Sequence, residues 1–370
     1  MLHLADVHLD RPFIGLSVPD ARERRNELRD ALDRALVLAA ERGVSAITVG
    51  GDLWEDEHVT PDTCKWVADR FARAGIPVVV IAGNHDPLRA GGPYSRVEWP
   101  ENVHLFPADA DVHEFRLGSL SLWGVSWGTV PLHARWLESF RVPEDGRSHV
   151  LMLHGTTGGA AFQDGAHCPF TGDAVRAAGF ELCLAGHLHS ASMRDGIVLY
   201  PGSPEPLAWD ETGRHSVAVV ELVPGGQPSV DLVDFNHRRY VVRNLDCEGA
   251  RSSADVERAL DNAVADATME FGEGLCLRAL LQGRVEVGCE IDLDALRTRS
   301  GGLSMLELRD DTRPAFDLDA LAEGHTALAT FVQDINARID ASEPQEREPL
   351  ELALELGLRA MHGDPLDHAS

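Results

Sequence analysis

The chain of 370 residues contains a single lysine, Lys65, and no excess of positive charge: 33 basic against 60 acidic side chains give a formal net charge of −27. Duplex DNA is itself a dense anion, so this balance is awkward for a nucleic-acid partner unless a local arginine patch offsets the global field. Arg22, Arg24, Arg25 and Arg29 form one such candidate and Arg238-Arg239 another. Both are read as a solvated helix face and a strand edge rather than as a binding patch. Also lacking is any apolar run of about eighteen residues, so no transmembrane span is expected. The first residues lack a basic stretch followed by an apolar core, so no export signal is expected either. Met1 lies almost on the first motif, which leaves room for a natural start upstream. The six cysteines (64, 168, 183, 247, 276 and 289) are scattered and form no CxxC pair. Cys183 and Cys276 lie in apolar runs and read as buried free thiols, and a reducing cytoplasm is the expected compartment. No internal repeat is present.

What is there is an alternation of strands and helices. The region 20–42 places Leu28, Leu32, Ala35, Leu36 and Ala39 on one helical face, with Gly43 as its stop. A strand at 46–49, a helix over 62–74 stopped by Gly75, and a strand at 76–81 follow, a β-α-β rhythm that implies a sheet covered by helices. Residues 112–127 read as short antiparallel strands about Gly118-Ser119. Residues 217–222 and 230–235 read as a hairpin around Pro224-Gly225-Gly226. The composition then shifts, which predicts two domains, 1–237 and 238–370, the second a smaller α/β domain. Its expected strands are 240–245, 275–281 and 303–308. Its expected helices are 253–269, 292–299, 321–339 and 350–361, the last chosen over a strand because of its Ala, Glu and Leu content. Residues from Asp364 on read as a frayed end.

Five short fragments carry the chemistry: Asp6-Val7-His8, Gly51-Asp52, Gly83-Asn84-His85-Asp86, His154-Gly155 and Gly186-His187-Leu188-His189. Each follows an apolar run that reads as a strand, and strand ends are where an α/β sheet gathers its loops into one crevice. A two-metal hydrolytic site needs hard oxygen and imidazole ligands, one of them bridging, with ions roughly 3.5–4 Å apart. Asp6 and His8, one residue apart on an extended segment, are expected to point the same way and share one ion. Asp52 is the expected bridge. Asn84, His154 and His187 are expected to hold the second ion, and His189 to return to the first. His85 directly follows Asn84, so its side chain points elsewhere. It is cast as the acid for the leaving oxygen, or as a cation-like donor to the phosphate, with Glu55 as its orienting carboxylate. His3, His104 and His237 receive no role.

These fragments resemble the calcineurin-like metallophosphoesterase superfamily, whose pattern is Asp-x-His, Gly-Asp, Gly-Asn-His-Asp/Glu, His and Gly-His-x-His. The resemblance covers residues 6–189. It implies a four-layer α-β-β-α sandwich and two divalent ions, Mn²⁺ before Fe or Zn²⁺. Within the superfamily, the chain resembles bacterial DNA repair exonucleases of the SbcD and YhaO type. The residues that carry this are Leu4-Ala5-Asp6-Val7-His8-Leu9-Asp10, Gly51-Asp52-Leu53-Trp54-Glu55 and Tyr200-Pro201-Gly202-Ser203-Pro204. That implies DNA as substrate, a C-terminal cap domain and an SMC-like ATPase as partner; a homodimer is compatible with it. Glu55 departs from the usual short partner at its position. Two other functions compete with a DNA phosphodiesterase. One is a phosphoesterase acting on nucleotides, cyclic nucleotides or another small phosphate ester. The other is a structural subunit without chemistry, against which the full ligand set argues.

Overall fold

The computed structural model describes residues 1–109, 111–157, 167–223, 225–272 and 274–363. In chain order its first elements are β1 (Leu2–Leu4), α1 (Val18–Glu41), β2 (Ile47–Gly50), α2 (Pro61–Ala74), β3 (Val78–Ile81), β4 (Val103–Leu105), β5 (His113–Leu117), β6 (Leu120–Gly124), β7 (Ser148–His154), α3 (Gly172–Ala177), β8 (Leu182–Gly186), β9 (Ser192–Arg194), β10 (Val198–Tyr200), β11 (Ser216–Glu221) and β12 (Ser229–Asp234). They build two six-stranded sheets, ordered β12-β11-β1-β2-β3-β4 and β5-β6-β7-β8-β10-β9. β1 to β4 pair in parallel, as do β6, β7, β8 and β10, and antiparallel strands close every edge but the one at β4.

The central strands β1, β2, β3, β7, β8 and β10 bury both faces, as parallel strands do when both sides are covered, and their period of two sorts the side chains into layers. Val78 and Val80 face a core shared with Leu28, Leu32 and Ala35 of α1 and Val67 and Phe71 of α2. Val79 and Ile81, one residue out of phase, meet Val150, Met152, Leu182 and Leu184 of the other sheet. Leu151 and Leu153 face a third core with Val175 and Phe180. Helix, sheet, sheet, helix is therefore the order of layers, the four-layer sandwich that the family resemblance implied. His3, fully buried, ties the two sheets together: its ring nitrogens meet Thr48 Oγ1 at 3.0 Å and the Ala185 carbonyl at 3.2 Å. Burial pushes its pKa down to about 4, so it stays neutral.

Local chemistry sets the helix ends. Ser17 caps α1 and Thr60 caps α2, each accepting from a backbone N–H of the first turn, and a proline stands in each first turn. Gly75 ends α2 at φ 66. The hairpin of β11 and β12 is present, with Pro224 outside the described residues; so is the expectation for the stretch from Asp364 on. All six cysteines are free and five of them are buried.

The remaining elements are β13 (Arg239–Asp246), α4 (Ser253–Phe271), β14 (Leu275–Gln282), β15 (Arg284–Val285), α5 (Leu293–Arg297), β16 (Met305–Asp310), β17 (Arg313–Pro314), α6 (Leu318–Ala322), α7 (Ala327–Ala341) and α8 (Pro344–His362). Two compact units result: Met1–Val242 with Asp266–Arg278 and Gly302–Leu306, and Arg243–Ala265 with Ala279–Gly301 and Glu307–Ser370. Within the second, Val332 and Ile335 of α7 pack on Leu354 and Leu358 of α8. The single helix expected over 321–339 is two: Gly324 takes φ 92, outside helical space, and Thr326 caps a new helix by accepting from Ala329 N. The arginine expectation also needs correction. Arg24 and Arg238 are not solvated but buried, bonded to Glu27, and Arg29 is bonded to Asp10 and Thr63. No helix among the described residues is long and apolar enough to cross a membrane.

Candidate metal centre

All five fragments lie at strand ends of the two sheets, and their loops converge. Past β1 and β2 the chain runs on side by side: Asp6 N–H donates to the Gly51 carbonyl, His8 N–H to that of Asp52 and Leu9 N–H to that of Leu53, each at 3.0 Å. This segment is not extended, so an extended backbone is not what turns Asp6 and His8 toward one ion. β1 stops at Leu4, and Asp6 (φ 54), His8 (φ 50) and Asp52 (φ 51) all take left-handed backbone, as does His187 (φ 105). Such a conformation costs a non-glycine residue about 1–3 kcal/mol and is retained where surrounding structure over-determines it. Here the backbone pairing of the two loops does so, and it aims the side chains.

The side chains form two groups joined by Asp52. Asp6, His8 and His189 bring ligand atoms within 4.8 Å of one another, and so do Asp52, His154 and His187. Asn84 belongs with the second group, its Oδ1 lying 2.9 Å from His154 Nε2 and 3.1 Å from His187 Nδ1. One oxygen of Asp52 faces both: Oδ2 is 3.3 Å from His154 Nε2 and 3.7 Å from His8 Nε2. Gly83 admits this approach, since a Cβ there would collide with Asp52.

The donor set fits divalent ions. His8 Nδ1–H donates to Glu55 at 2.9 Å and His189 Nδ1–H to Glu211 at 2.6 Å, which turns both Nε2 atoms inward, 3.3 Å apart. With both Nδ1–H groups committed, the facing Nε2 atoms need a proton or a metal ion between them, and a divalent ion meets that need. In the second group His154 Nδ1–H donates to the Gly50 carbonyl at 2.9 Å, again leaving Nε2 as the donor atom. Burial pushes His154 down, but the Asp52 carboxylate outweighs it and raises the ring to about 9, so the pocket favours positive charge at that nitrogen. Burial and the neighbouring His154 push His187 down to about 3, which keeps it a neutral lone-pair donor.

His85 stands outside both groups, its side chain 45% exposed. Its Nδ1–H donates to Glu55 at 3.0 Å, and that bond raises its pKa. Glu55 is thus shared: it holds His8, His85 and, at 3.1 Å, Arg11.

Several supporting residues escape sequence reasoning. Glu211 lies 22 residues beyond His189, at no spacing that marks it. Asp86, quoted only as part of its motif, accepts from the backbone N–H groups of Asp52, Leu53 and Gly83 and from Tyr94, so one buried carboxylate ties two site loops together. Trp127 donates to the His154 carbonyl at 2.8 Å. The Tyr200–Pro204 block braces the histidine loops: Tyr200 donates to the Gly155 carbonyl and Ser203 N–H to that of His189. Gly202, at φ 79, leaves no room for a Cβ against the His189 carbonyl.

A four-layer sandwich with two adjoining His, Asp and Asn groups at its strand ends has the make-up of a metal-dependent phosphoesterase. The chain belongs to the calcineurin-like phosphoesterase family, whose model matches residues 1–191. It is 30% identical over 295 residues to the uncharacterized metallophosphoesterase YhaO of Bacillus subtilis (strain 168), covering 76% of this chain and 71% of that one. It is 22% identical to the DNA double-strand break repair protein Mre11 of Methanopyrus kandleri, covering 94% and 87%. It is 26% identical to the SbcD nuclease subunit of Escherichia coli (strain K12), covering 62% and 67%.

Proposed function

We propose that this phosphoesterase hydrolyses phosphodiester bonds of DNA as a repair exonuclease of the SbcD type, working with an SMC-like ATPase in a reducing cytoplasm. The observation that carries the reading is the donor set itself: three histidines whose Nδ1–H groups are already committed, with Asp52 between the two groups and His85 beside them. Relatives named as a DNA repair protein and as a nuclease subunit support DNA as the substrate. Residues 1–237 are the catalytic part in this proposal and 238–370 the cap.

Asp6, His8 and His189 would hold a first ion, Asn84, His154 and His187 a second, and Asp52 would serve both groups. Two divalent ions bound there, Mn²⁺ by preference, would supply Lewis acidity for activating water and for offsetting charge on the phosphate. His85 Nε2 would deliver a proton to the leaving oxygen, with Glu55 favouring the charged form of that ring and aiming it.

His85→Ala and His154→Ala are expected to give folded proteins with little Mn²⁺-dependent cleavage of single- or double-stranded DNA. Undiminished cleavage by both overturns the proposal. The second reading, a small phosphate ester as substrate, draws on the net charge of −27 and on arginines tied up by carboxylates. Turnover of a bis-aryl phosphate and cyclic nucleotides with none of DNA would favour it.

A further inference from the structure

Glu211 reaches the metal centre from a loop that is held at its far side. One carboxylate oxygen takes the His189 Nδ1–H at 2.6 Å and the other the Leu207 N–H at 2.8 Å, while Glu211 N–H donates to the Ala208 carbonyl at 3.1 Å. The buried His215 ring approaches the Glu211 carbonyl at 3.2 Å. Residues 207–211 are therefore a closed turn whose one outward bond to the centre is the one to His189.

At the tip of that turn is Trp209. Its indole stacks on Tyr240 of β13, centroids 4.6 Å apart and planes 23° from parallel, and the Arg278 guanidinium of β14 lies 4.5 Å over the same indole. Tyr240 is buried, and its own neighbour is the buried Arg24. Stacked aromatic and cation–π contacts of this kind fix a ring in position as well as burying it. Trp209 touches no candidate ligand. It fixes the turn, the turn fixes Glu211, and Glu211 selects the tautomer and rotation of His189.

We infer that Trp209 is a positioning residue for the first ion, acting through Glu211 on His189 and leaving the second ion untouched. The inference rests on the two-ion reading of the site. The second group has its own support, since His154 is oriented by the Gly50 carbonyl and not by this turn. Loss of a carboxylate that orients a ligating histidine typically weakens metal binding about 10–100-fold, and loosening the turn is expected to reproduce part of that loss.

The test is calorimetric titration of the chelator-stripped full chain with Mn²⁺, alongside thermal unfolding in chelator. Wild type is expected to take up two ions. Glu211→Gln and Trp209→Leu are expected to weaken one by about tenfold or more and to leave the other at wild-type affinity. Trp209→Phe, which keeps a ring to stack, is expected to restore most of the loss. Glu211→Gln leaves the packing of the turn in place, so it remains informative if Trp209→Leu unfolds. Wild-type binding of both ions by Glu211→Gln overturns the inference alone, as does equal loss of both ions by a folded Trp209→Leu. Fewer than two ions on wild type overturns the two-ion reading and this inference with it.

Discussion

The two halves of the metal centre are oriented by different means. In the half made by Asp6, His8 and His189, both imidazoles are turned by side-chain carboxylates, Glu55 and Glu211, brought in on loops. In the half made by Asn84, His154 and His187, His154 sits at the end of β7 and is turned by the Gly50 carbonyl of β2, so backbone sets its direction. A carboxylate on a loop is removed by one substitution and moves with its loop; a strand carbonyl does neither. The first half is the adjustable one, and His85, the proposed proton donor, is wired to it through Glu55, which serves His8 and His85 at once.

Asp52 belongs to both halves, and removing its charge should abolish the difference between them. Asp52→Asn is expected to lower kcat on the order of 10³-fold and to leave fewer than two ions bound under Mn²⁺-replete conditions. Metal content and single-turnover cleavage on the same preparation check it. Retention of two ions with only a modest rate loss would mean that the halves hold their ions independently.

Glu55→Gln should strike the first half alone. The carboxylate raises the pKa of His85, so the acid form of that ring persists to higher pH than in an ordinary histidine. Activity that needs the acid form is lost as pH rises through that raised value. Without the carboxylate the pKa falls, and the basic limb of the kcat profile moves to lower pH. Because His8 loses its orienting partner too, a fall of about 10–100-fold in first-ion affinity should accompany the shift. A limb that stays in place while affinity falls would assign Glu55 to His8 and free His85 from it.

The sequence made the candidate ligands of both halves legible and the groups that orient them much less so. A short apolar run that ends in Asp52, Asn84, His154 or His187 announces a ligand at a strand end, because the residue type and the end of the run appear together in the chain. The orienting group of His154 is a backbone carbonyl and has no residue type to read. Glu211 has one, but it is one carboxylate among 60 acidic residues and follows no spacing rule from His189. Glu55 is legible because it lies three residues from the expected bridge. The left-handed backbone at Asp6 and His8 is hidden, since an alternating pattern reads as extended whether or not the strand has already ended. The burial of Arg24 is hidden for a related reason: its partners include Glu27 of its own helix and the Pro206 carbonyl from far along the chain. Charge patterning cannot place the second of these.

The smallest expected effect is the sharpest check on the comparison. Trp127 Nε1–H donates to the His154 carbonyl at 2.8 Å, a side-chain bond that braces this end of β7 from outside the ligand set. Trp127→Phe keeps the buried ring and removes the N–H, leaving a carbonyl short of a partner, a change worth about 1–3 kcal/mol in stability. If strand backbone orients His154, the ring still has the Gly50 carbonyl, and second-ion affinity should fall by less than about tenfold, below the effect of Glu55→Gln on the first ion. Titration of both variants with Mn²⁺ under one set of conditions measures the ratio directly. A loss of the second ion by about a hundredfold in Trp127→Phe, the upper end of what removing an orienting partner costs, would show that this half, too, hangs on a single side chain, and the contrast between a carboxylate-held and a backbone-held half would fail.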